Sequence, residues 1–226
     1  CWDMGLQIAI DGPAAAGKST IAKKIADHLN YVYIDTGAMY RAATYKALQK
    51  GIDLNDGKAL ANMLKETSIE LLPGKNGQIV KLDGADVTEI IRSPLVSNNV
   101  SFVSRHPELR EVMVERQRAL ADKGGVVMDG RDIGTRVLPH ADVKIFMVAS
   151  VEKRAERRYK EQLKKGIDTP LDELKKEIML RDERDRRQLG KADDAIEIDT
   201  TSLSIDEVVE RIMAIIKERA ANGEAL

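Results

Sequence analysis

The sequence is poor in cysteine, in long apolar runs and in net charge, and each shortage excludes a class of protein. Cys1 is its one cysteine, so no disulfide can form among these 226 residues, and a reducing compartment is expected. No apolar run approaches the roughly 20 residues of a membrane span. The net charge of −1 supplies no overall positive field for nucleic acid or a membrane surface. We therefore expect a cytoplasmic protein without nucleic-acid or membrane partners.

The rest of the composition is typical of one globular domain. With 43% hydrophobic and 32% charged residues, the chain can form one α/β domain with smaller inserts. Five short apolar segments alternate with helical patterns, which predicts a five-stranded parallel sheet with right-handed crossovers. Nothing requires a second subunit, so a monomer is expected. Cys1-Trp2-Asp3 precedes Met4 and belongs to no motif, which suggests an alternative start or a remnant of cloning.

A glycine-bounded loop follows the first apolar segment and precedes an amphipathic helix. It consists of Gly12, Pro13, Ala14, Ala15, Ala16, Gly17, Lys18, Ser19 and Thr20. The G-x-x-x-x-G-K-[ST] spacing is that of a P-loop, whose backbone N–H groups converge on the phosphates of a nucleoside triphosphate. Lys18 would reach the terminal phosphates, and the Ser19 hydroxyl would bind Mg²⁺. The alternative is a glycine-rich turn with a surface lysine, which the flanking strand and helix disfavour.

Carboxylates stand at the predicted carboxyl ends of several strands, where ligands bind in such sheets. They are Asp11, Asp35, Asp129 and Asp199. Asp129 can orient Mg²⁺ directly or through water, although a capping or turn role fits almost as well. Asp35 could have a similar role, as the carboxylate near the phosphate of the acceptor.

The P-loop alone leaves the reaction open, because switches, motors and small kinases share it. No N-K-x-D loop for guanine is found, and the length leaves no room for a helicase's second domain. Segments 68–72 and 78–82, joined by a Pro-Gly-containing turn, predict a β-hairpin between helices, which marks an insert. These observations favour a compact kinase with an acceptor site.

Six motifs then occur in the order found in bacterial cytidylate kinases, and the chain resembles that family over residues 4–219. The motifs span residues 12–20, 35–41, 82–88, 129–135, 181–185 and 198–204. The resemblance implies a P-loop NTPase-type three-layer fold with a monophosphate-binding insert and a helical lid. It divides the chain into a core (4–35, 104–150 and 191–219), an insert (36–103) and a lid (151–190). It also implies transfer of the γ-phosphoryl group of ATP to CMP and dCMP, with Mg²⁺.

The resemblance further implies roles for individual residues. Catalysis would depend on Lys18, Arg131, Asp132, Arg181 and Asp185. The CMP-binding residues would be Asp35, Thr36, Tyr40, Arg41, Ser101, Arg110, Arg131, Asp132, Arg181 and Asp185. Asp132 can accept a hydrogen bond from the exocyclic amine of cytosine, which uracil lacks. The lid would add Arg154, Arg157, Arg158 and Arg187, for which salt bridges on a solvated helix surface are the plain alternative.

The sequence departs from the family pattern at one point of the lid. Gln188 stands where the family usually has an arginine, with Arg187 beside it and a shortened stretch before Ala195. The last phosphate contact would then come from Arg187 or Arg186, or be missing. Two other functions stay open: a small P-loop kinase acting on UMP, AMP or a small metabolite, and a non-catalytic nucleotide switch.

Overall fold

The computed structural model describes residues 5–75 and 77–224. Cys1-Trp2-Asp3 and the predicted domain start at Met4 lie outside the described residues. The helices and strands alternate along the chain as follows. In order they are β1 (Gln7–Asp11), α1 (Lys18–Leu29), β2 (Val32–Asp35), α2 (Thr36–Gln49), α3 (Gly57–Lys65), β3 (Ile69–Leu72), β4 (Ile79–Leu82), β5 (Ala85–Asp86), a 3₁₀ turn (Ile90–Arg92), α4 (Pro94–Ser104), α5 (Pro107–Ala121), β6 (Val126–Gly130), a π-helical turn (Ile133–Val137), β7 (Val143–Val148), α6 (Val151–Lys164), α7 (Leu171–Asp185), β8 (Ile196–Asp199) and α8 (Ile205–Glu224).

The chain divides into two compact units. The core unit comprises Cys1–Tyr33 with Lys123–Leu226, and the insert unit comprises Ile34–Asp122. Helix α5 thus belongs to the insert unit, and the segment expected as a lid belongs to the core unit. The finer division into core, insert and lid stays a prediction.

The main sheet has five strands in the order β2-β6-β1-β7-β8, which confirms the predicted α/β fold. The neighbours of β1 on both sides run parallel to it, as does β8 along β7. Ile8, Ile10 and Ile145 are fully buried within these short apolar strands. Parallel strands are covered on both faces, which explains their nearly continuous apolar character.

Helices α1 and α8 pack together on this sheet through an apolar cluster. Ile21 and Ile25 of α1 lie one turn apart, and Ile212 and Ile216 of α8 have the same spacing. An i, i+4 pair lies on one face of a helix, so each helix buries one stripe. Helix α1, which begins at Lys18 within the P-loop motif, is therefore fixed against the sheet.

The insert unit contains a second, antiparallel sheet in the order β3-β4-β5. Strands β3 and β4 form the predicted hairpin, with Ile69 opposite Leu82. The two-residue strand β5 was not predicted. Asp83 and Gly84 both have positive φ angles, of 50° and 85°. An Asp-Gly pair with positive φ at both residues is a signal for a tight hairpin, so the sequence carried this information.

Among the described residues, no helix has both the length and the apolar character that crossing a membrane requires.

Candidate active site

The P-loop has the backbone of an anion-binding loop. Ala15 and Gly17 have positive φ angles of 61° and 86°. A Cβ atom on Gly12 would lie 2.4 Å from the carbonyl oxygen of Met147, so a side chain does not fit there. Left-handed residues between ordinary ones turn successive N–H groups toward one point, which forms a concave binding site for an anion. Helix α1 begins at Lys18 and adds the positive end of its dipole.

Lys18 is a buried cation at the start of this helix. Its side chain is 8% exposed, and Nζ donates a hydrogen bond of 2.9 Å to the carbonyl oxygen of Pro13. Burial, and to a lesser extent the nearby positive charge of Arg131, lower the pKa of Lys18 to about 7. Asp129 and Asp11 offset part of this effect. Since added negative charge would relieve the burial of this ammonium, the loop fits a polyphosphate.

Two carboxylates at strand ends are buried near Lys18. Asp129 accepts a hydrogen bond of 2.9 Å from the Tyr33 hydroxyl. Asp11 accepts hydrogen bonds from the N–H groups of Ile133 and Gly134, at 2.8 and 2.9 Å. Burial raises the pKa of Asp11 to about 6, although these two hydrogen bonds oppose the shift. Both carboxylates therefore have partners within the core unit.

The structure offers no closed metal site in its described part, because no three metal-binding side chains cluster there. This fits a P-loop, where magnesium is held by one hydroxyl together with phosphate oxygens and water. Ser19 is the second residue of α1 and is exposed, so its hydroxyl is accessible to such an ion.

Three of the predicted catalytic residues meet in one ion-pair cluster in the core unit. The buried Asp185 carboxylate lies 3.1 Å from Nε of Arg131 and 3.2 Å from Nε of Arg181. Burial lowers the pKa of Arg181, and Asp185 opposes that shift. The backbone of Arg131 also accepts a hydrogen bond of 3.1 Å from the N–H of Gly190. Asp185 thus orients two guanidinium groups at once.

Arg154 and Arg157 contact the P-loop backbone. Arg154 is buried, binds Asp182 with two hydrogen bonds of 2.8 Å and donates to the carbonyl oxygen of Ala14 at 3.3 Å. Arg157 donates to the Ala16 carbonyl at 3.5 Å and to the backbone oxygen of Thr200 at 2.6 Å. Burial lowers the pKa of Arg157. These two arginines stabilise the backbone of the P-loop, a role that the sequence did not indicate.

The other lid residues are more open. Arg158 is half-buried and Arg187 is exposed. Arg186 forms an ion pair with Glu183 at 3.0 Å. The N–H of Gln188 donates to the backbone oxygen of Asp185 at 2.9 Å. Which arginine replaces the usual phosphate contact stays a prediction.

Asp132 also lies in the core unit, and the insert unit holds the remaining predicted CMP-binding residues in two groups. Asp35 accepts a hydrogen bond from the N–H of Ala38 and so begins α2, and it pairs with Arg92 at 3.3 Å. Arg41, on the same helix, donates to Ser97 Oγ at 2.7 Å and to the backbone oxygen of Ile91 at 3.1 Å. Thr36, the first residue of α2, is buried.

The second group joins α2 and α5. The buried guanidinium of Arg110 lies 5.4 Å from the centre of the Tyr40 ring, within cation–π range. Arg110 also donates to the backbone oxygen of Ser104 at 3.3 Å. Ser101 is half-buried on α4. Arg110 is therefore held by a ring and a carbonyl group.

Sequence reasoning missed the partners that position these groups. They are Tyr33, Ser97, Asp182 and Thr200, and Asp11 was noted as a strand end without a role. Each of these residues acts through a contact with a residue that is distant in sequence, which no sequence pattern reveals. Only Asp11 could have been found from the sequence, because it stands at the end of a predicted strand.

Comparisons with known proteins agree with this geometry. The family model described as cytidylate kinase matches residues 8–218. A cytidylate kinase from Geobacillus kaustophilus is 63% identical over 218 residues, which cover 95% of this chain and 97% of that protein. One from Anoxybacillus flavithermus is 62% identical with the same coverage.

A solved structure agrees with the fold. A gluconokinase from Sinorhizobium meliloti aligns with a TM-score of 0.50 and 16% identity, over 97% of this chain and 96% of that chain. At this identity the likeness shows the fold alone. The sequence relatives carry the functional class, and together with the P-loop geometry they identify a kinase: the chain belongs to the cytidylate kinase family.

Proposed function

We propose that this protein transfers the γ-phosphoryl group of ATP to CMP and dCMP, with Mg²⁺, and forms CDP and dCDP. One observation supports this proposal most strongly. Lys18 is a buried cation in an anion-binding loop, and the charge cluster of Arg131, Arg181 and Asp185 belongs to the same unit. Such cations are what a phosphoryl transfer requires, because negative charge builds up on the transferring group.

On the donor side, the P-loop N–H groups and Lys18 bind the β- and γ-phosphates of ATP. Bound Mg²⁺ would neutralise phosphate charge, and the Ser19 hydroxyl would hold it, with Asp129 reached through water. Arg154 and Arg157 donate hydrogen bonds to the carbonyl oxygens of Ala14 and Ala16, which fixes the loop so that its N–H groups stay directed at the phosphates. A preorganised loop of this kind saves the cost of reorienting dipoles during the reaction.

On the acceptor side, arginines bind the phosphate of CMP and polar groups select its base. Arg41 and Arg131 carry guanidinium groups that can fork onto phosphate oxygens. Asp132, with Ser101 and Arg110, recognises the cytosine, since a carboxylate accepts a hydrogen bond from its exocyclic amine. Thr36 and Tyr40 line the pocket, and Asp35 holds the start of α2. Arg181 and Asp185 bind the sugar or phosphates, and Arg158 and Arg187 add positive charge on closing.

The nucleotides ATP, CMP and dCMP are the proposed partners, and the protein is proposed to act as a cytoplasmic monomer. Size-exclusion chromatography with light scattering tests the oligomeric state, with a mass near the 25.0 kDa of one chain expected.

A panel assay tests the proposed reaction. ADP production is coupled to a detectable reaction, with CMP, dCMP, UMP, AMP and gluconate as acceptors. We expect turnover with CMP and dCMP to exceed that with the others by at least about tenfold, because unpaired polar groups disfavour the wrong base. Equal or higher turnover with UMP, AMP or gluconate would assign a different acceptor. Binding of ATP without acceptor-dependent turnover would indicate a nucleotide switch.

The variant Asp132→Ala tests base recognition in the same assay. The ratio of kcat/KM for CMP to that for UMP should fall by about 10- to 100-fold, because a hydrogen bond to a charged group is lost. The KM for ATP should stay within twofold. Unchanged CMP selectivity would remove Asp132 from the base site. Asp193→Ala, which removes an exposed carboxylate elsewhere in the core unit, is the matched control and should leave the ratio unchanged.

A further inference from the structure

Asp11 is a buried carboxylate for which the proposed reaction has no step. It ends β1 and directly precedes Gly12, the first residue of the P-loop. Its side chain is turned to a different segment: both carboxylate oxygens accept N–H groups, one from Ile133 at 2.8 Å and one from Gly134 at 2.9 Å. One residue therefore connects the strand that enters the P-loop with the segment that follows Arg131 and Asp132.

The accepted N–H groups open the π-helical turn at Ile133–Val137. The first hydrogen bonds inside this turn start further along, where the N–H groups of Arg136 and Val137 bond to the backbone oxygen of Asp132. The N–H groups at the start of a helical turn have no partner within it and need an outside acceptor. Asp11 supplies both oxygens, so it acts as the cap of a turn that lies more than 120 residues away in sequence.

The packing around this contact is close. A Cβ atom on Gly134 would lie 3.1 Å from Cδ of Lys144 and 3.5 Å from an oxygen of Asp11. The Lys144 ammonium is itself fixed, because it bonds to Asp194 at 2.9 Å and to the backbone oxygen of Pro139. A side chain at position 134 would therefore crowd the Lys144 stem, which would have to shift by a few tenths of an ångström.

Stability does not explain the presence of a charge at this position. Burial raises the pKa of Asp11 to about 6, and the charge of Asp132 adds to the shift, while Lys18 opposes it. The ionised form at neutral pH is therefore disfavoured by the fold, and folding alone would favour a neutral residue. The two N–H groups that this carboxylate accepts offset part of that cost.

We infer that Asp11 is a positioning residue for acceptor recognition, which holds the loop bearing Arg131 and Asp132 in place relative to the P-loop. This inference rests on the proposed function for its effect on CMP. The contact itself is independent of that function. Arg131 is attached at two further points, through Asp185 and through Gly190, so its side chain is held partly independently of Asp11.

The variant Asp11→Asn tests the inference, because it keeps the shape but presents an amide donor to one of the two N–H groups. Amide hydrogen exchange at Ile133 and Gly134 should become at least about tenfold faster, since a buried donor loses its acceptor. The KM for CMP should rise about tenfold while the KM for ATP changes by less than threefold. Asp142→Asn is the matched control: Asp142 accepts the N–H of Gln7 at the other end of β1, at 2.8 Å, and its loss should change neither KM.

Unchanged exchange at Ile133 and Gly134 in Asp11→Asn would overturn the inference, and so would an equal rise in both KM values. A wild-type protein without CMP-dependent turnover would refute the proposed function. The exchange result would still decide whether Asp11 holds the N–H groups of Ile133 and Gly134. If Asp11→Asn does not fold, Gly134→Ala tests the same loop from the other side without removing the charge. It should raise the KM for CMP by about three- to tenfold because the added methyl group crowds Lys144 and so displaces the turn that Asp11 holds, and an unchanged KM would count against the inference.

Discussion

Both units of this protein contain buried lysines, and Lys18 of the core unit and Lys46 of the insert unit differ in what surrounds the charge. Lys46 in the insert unit is 9% exposed and donates to Thr67 Oγ1 at 2.8 Å and to Asp83 at 2.6 Å. The hydrogen bond from Lys46 lowers the pKa of Asp83. Lys18 in the core unit is equally buried, but its Nζ bonds to a carbonyl oxygen and its pKa is lowered to about 7.

The difference distinguishes Lys46, whose charge is paired within the fold, from Lys18, whose charge we propose to serve the function. Lys46 has a carboxylate partner within the fold, as does Lys144 in the core unit, which binds Asp194. Lys18 lies near carboxylates, yet burial and Arg131 still depress its pKa. Shifted pKa values of this kind concentrate at functional sites, because a ligand supplies the missing charge. This pattern supports the proposal that Lys18 binds a phosphate, at a cost in the stability of the free protein.

The largest expected effect is the loss of activity in Lys18→Met. Turnover should fall by about 1,000-fold or more, because one preorganised contact to the transferring phosphate is removed. Steady-state kinetics with saturating ATP and CMP measure this effect. Lys46→Met is the control with the same side-chain change and should keep kcat within twofold. Comparable losses in the two variants would remove the distinction between the lysines.

A smaller effect is expected for Asp185→Asn, which keeps the shape of the side chain that Arg131 and Arg181 share. The value of kcat/KM for CMP should fall by about 10- to 100-fold, because two guanidinium groups lose their common carboxylate. Kinetics at varied CMP measure the change. Glu183→Gln is the matched control on the same helix, since Glu183 pairs only with the exposed Arg186 among the described ion pairs. Equal effects of both changes would mean that helix charge, rather than this cluster, matters.

Next in size is a gain of stability in Lys18→Met. The folded pKa of about 7 lies below the ordinary value of 10.5, so the folded state disfavours the charge. The cost is fully present below pH 7 and disappears as the pH rises toward 10.5. At pH 6 the variant should be more stable by a few kcal/mol, roughly 5 at most from a shift of this size, and at pH 10 the difference should fall below about 1 kcal/mol. Urea unfolding at both values measures it, and a variant less stable at pH 6 would contradict the interpretation.

The smallest effect is expected for the stability of Lys46→Met. The free energy of unfolding should fall by about 1–2 kcal/mol, because Thr67 and Asp83 lose a partner while Asp83 remains largely solvated. Urea unfolding at pH 7 measures the loss. The opposite signs of the stability changes in Lys18→Met and Lys46→Met would sharpen the comparison. A gain of stability in both would indicate that any buried lysine is costly in this fold.

Much of the fold follows from local sequence signals. The P-loop spacing, the apolar strands and the hairpin β3–β4 were predicted because each depends on neighbouring residues or on a short repeat. Strand β5 escaped because two residues carry no periodicity, although the Asp83-Gly84 pair marked its turn. The secondary structure of short segments with a strong sequence pattern can thus be predicted without any knowledge of tertiary contacts.

The site was less predictable because its geometry depends on contacts between distant residues. Arg154 was expected to face a ligand as a lid residue, and whether it does stays a prediction. The structure pairs it with Asp182, 28 positions away, and with the P-loop backbone. The hydrogen bonds of Asp11 span more than 120 positions. No periodic pattern encodes such pairs. Residue type and spacing therefore predicted the chemistry of the site, but not the hydrogen-bond partners of its residues.

The ionisation of Lys18 is the most direct test of the central comparison. An NMR titration of its side chain, in protein with isotope-labelled lysine, should show a midpoint near 7 in the free protein. The midpoint should rise by more than about one unit when ADP is bound, because phosphate supplies the missing negative charge. Lys18→Met identifies the resonance. A midpoint near 10.5 in the free protein would contradict the account, since Lys18 would then be as well compensated as an ordinary surface lysine.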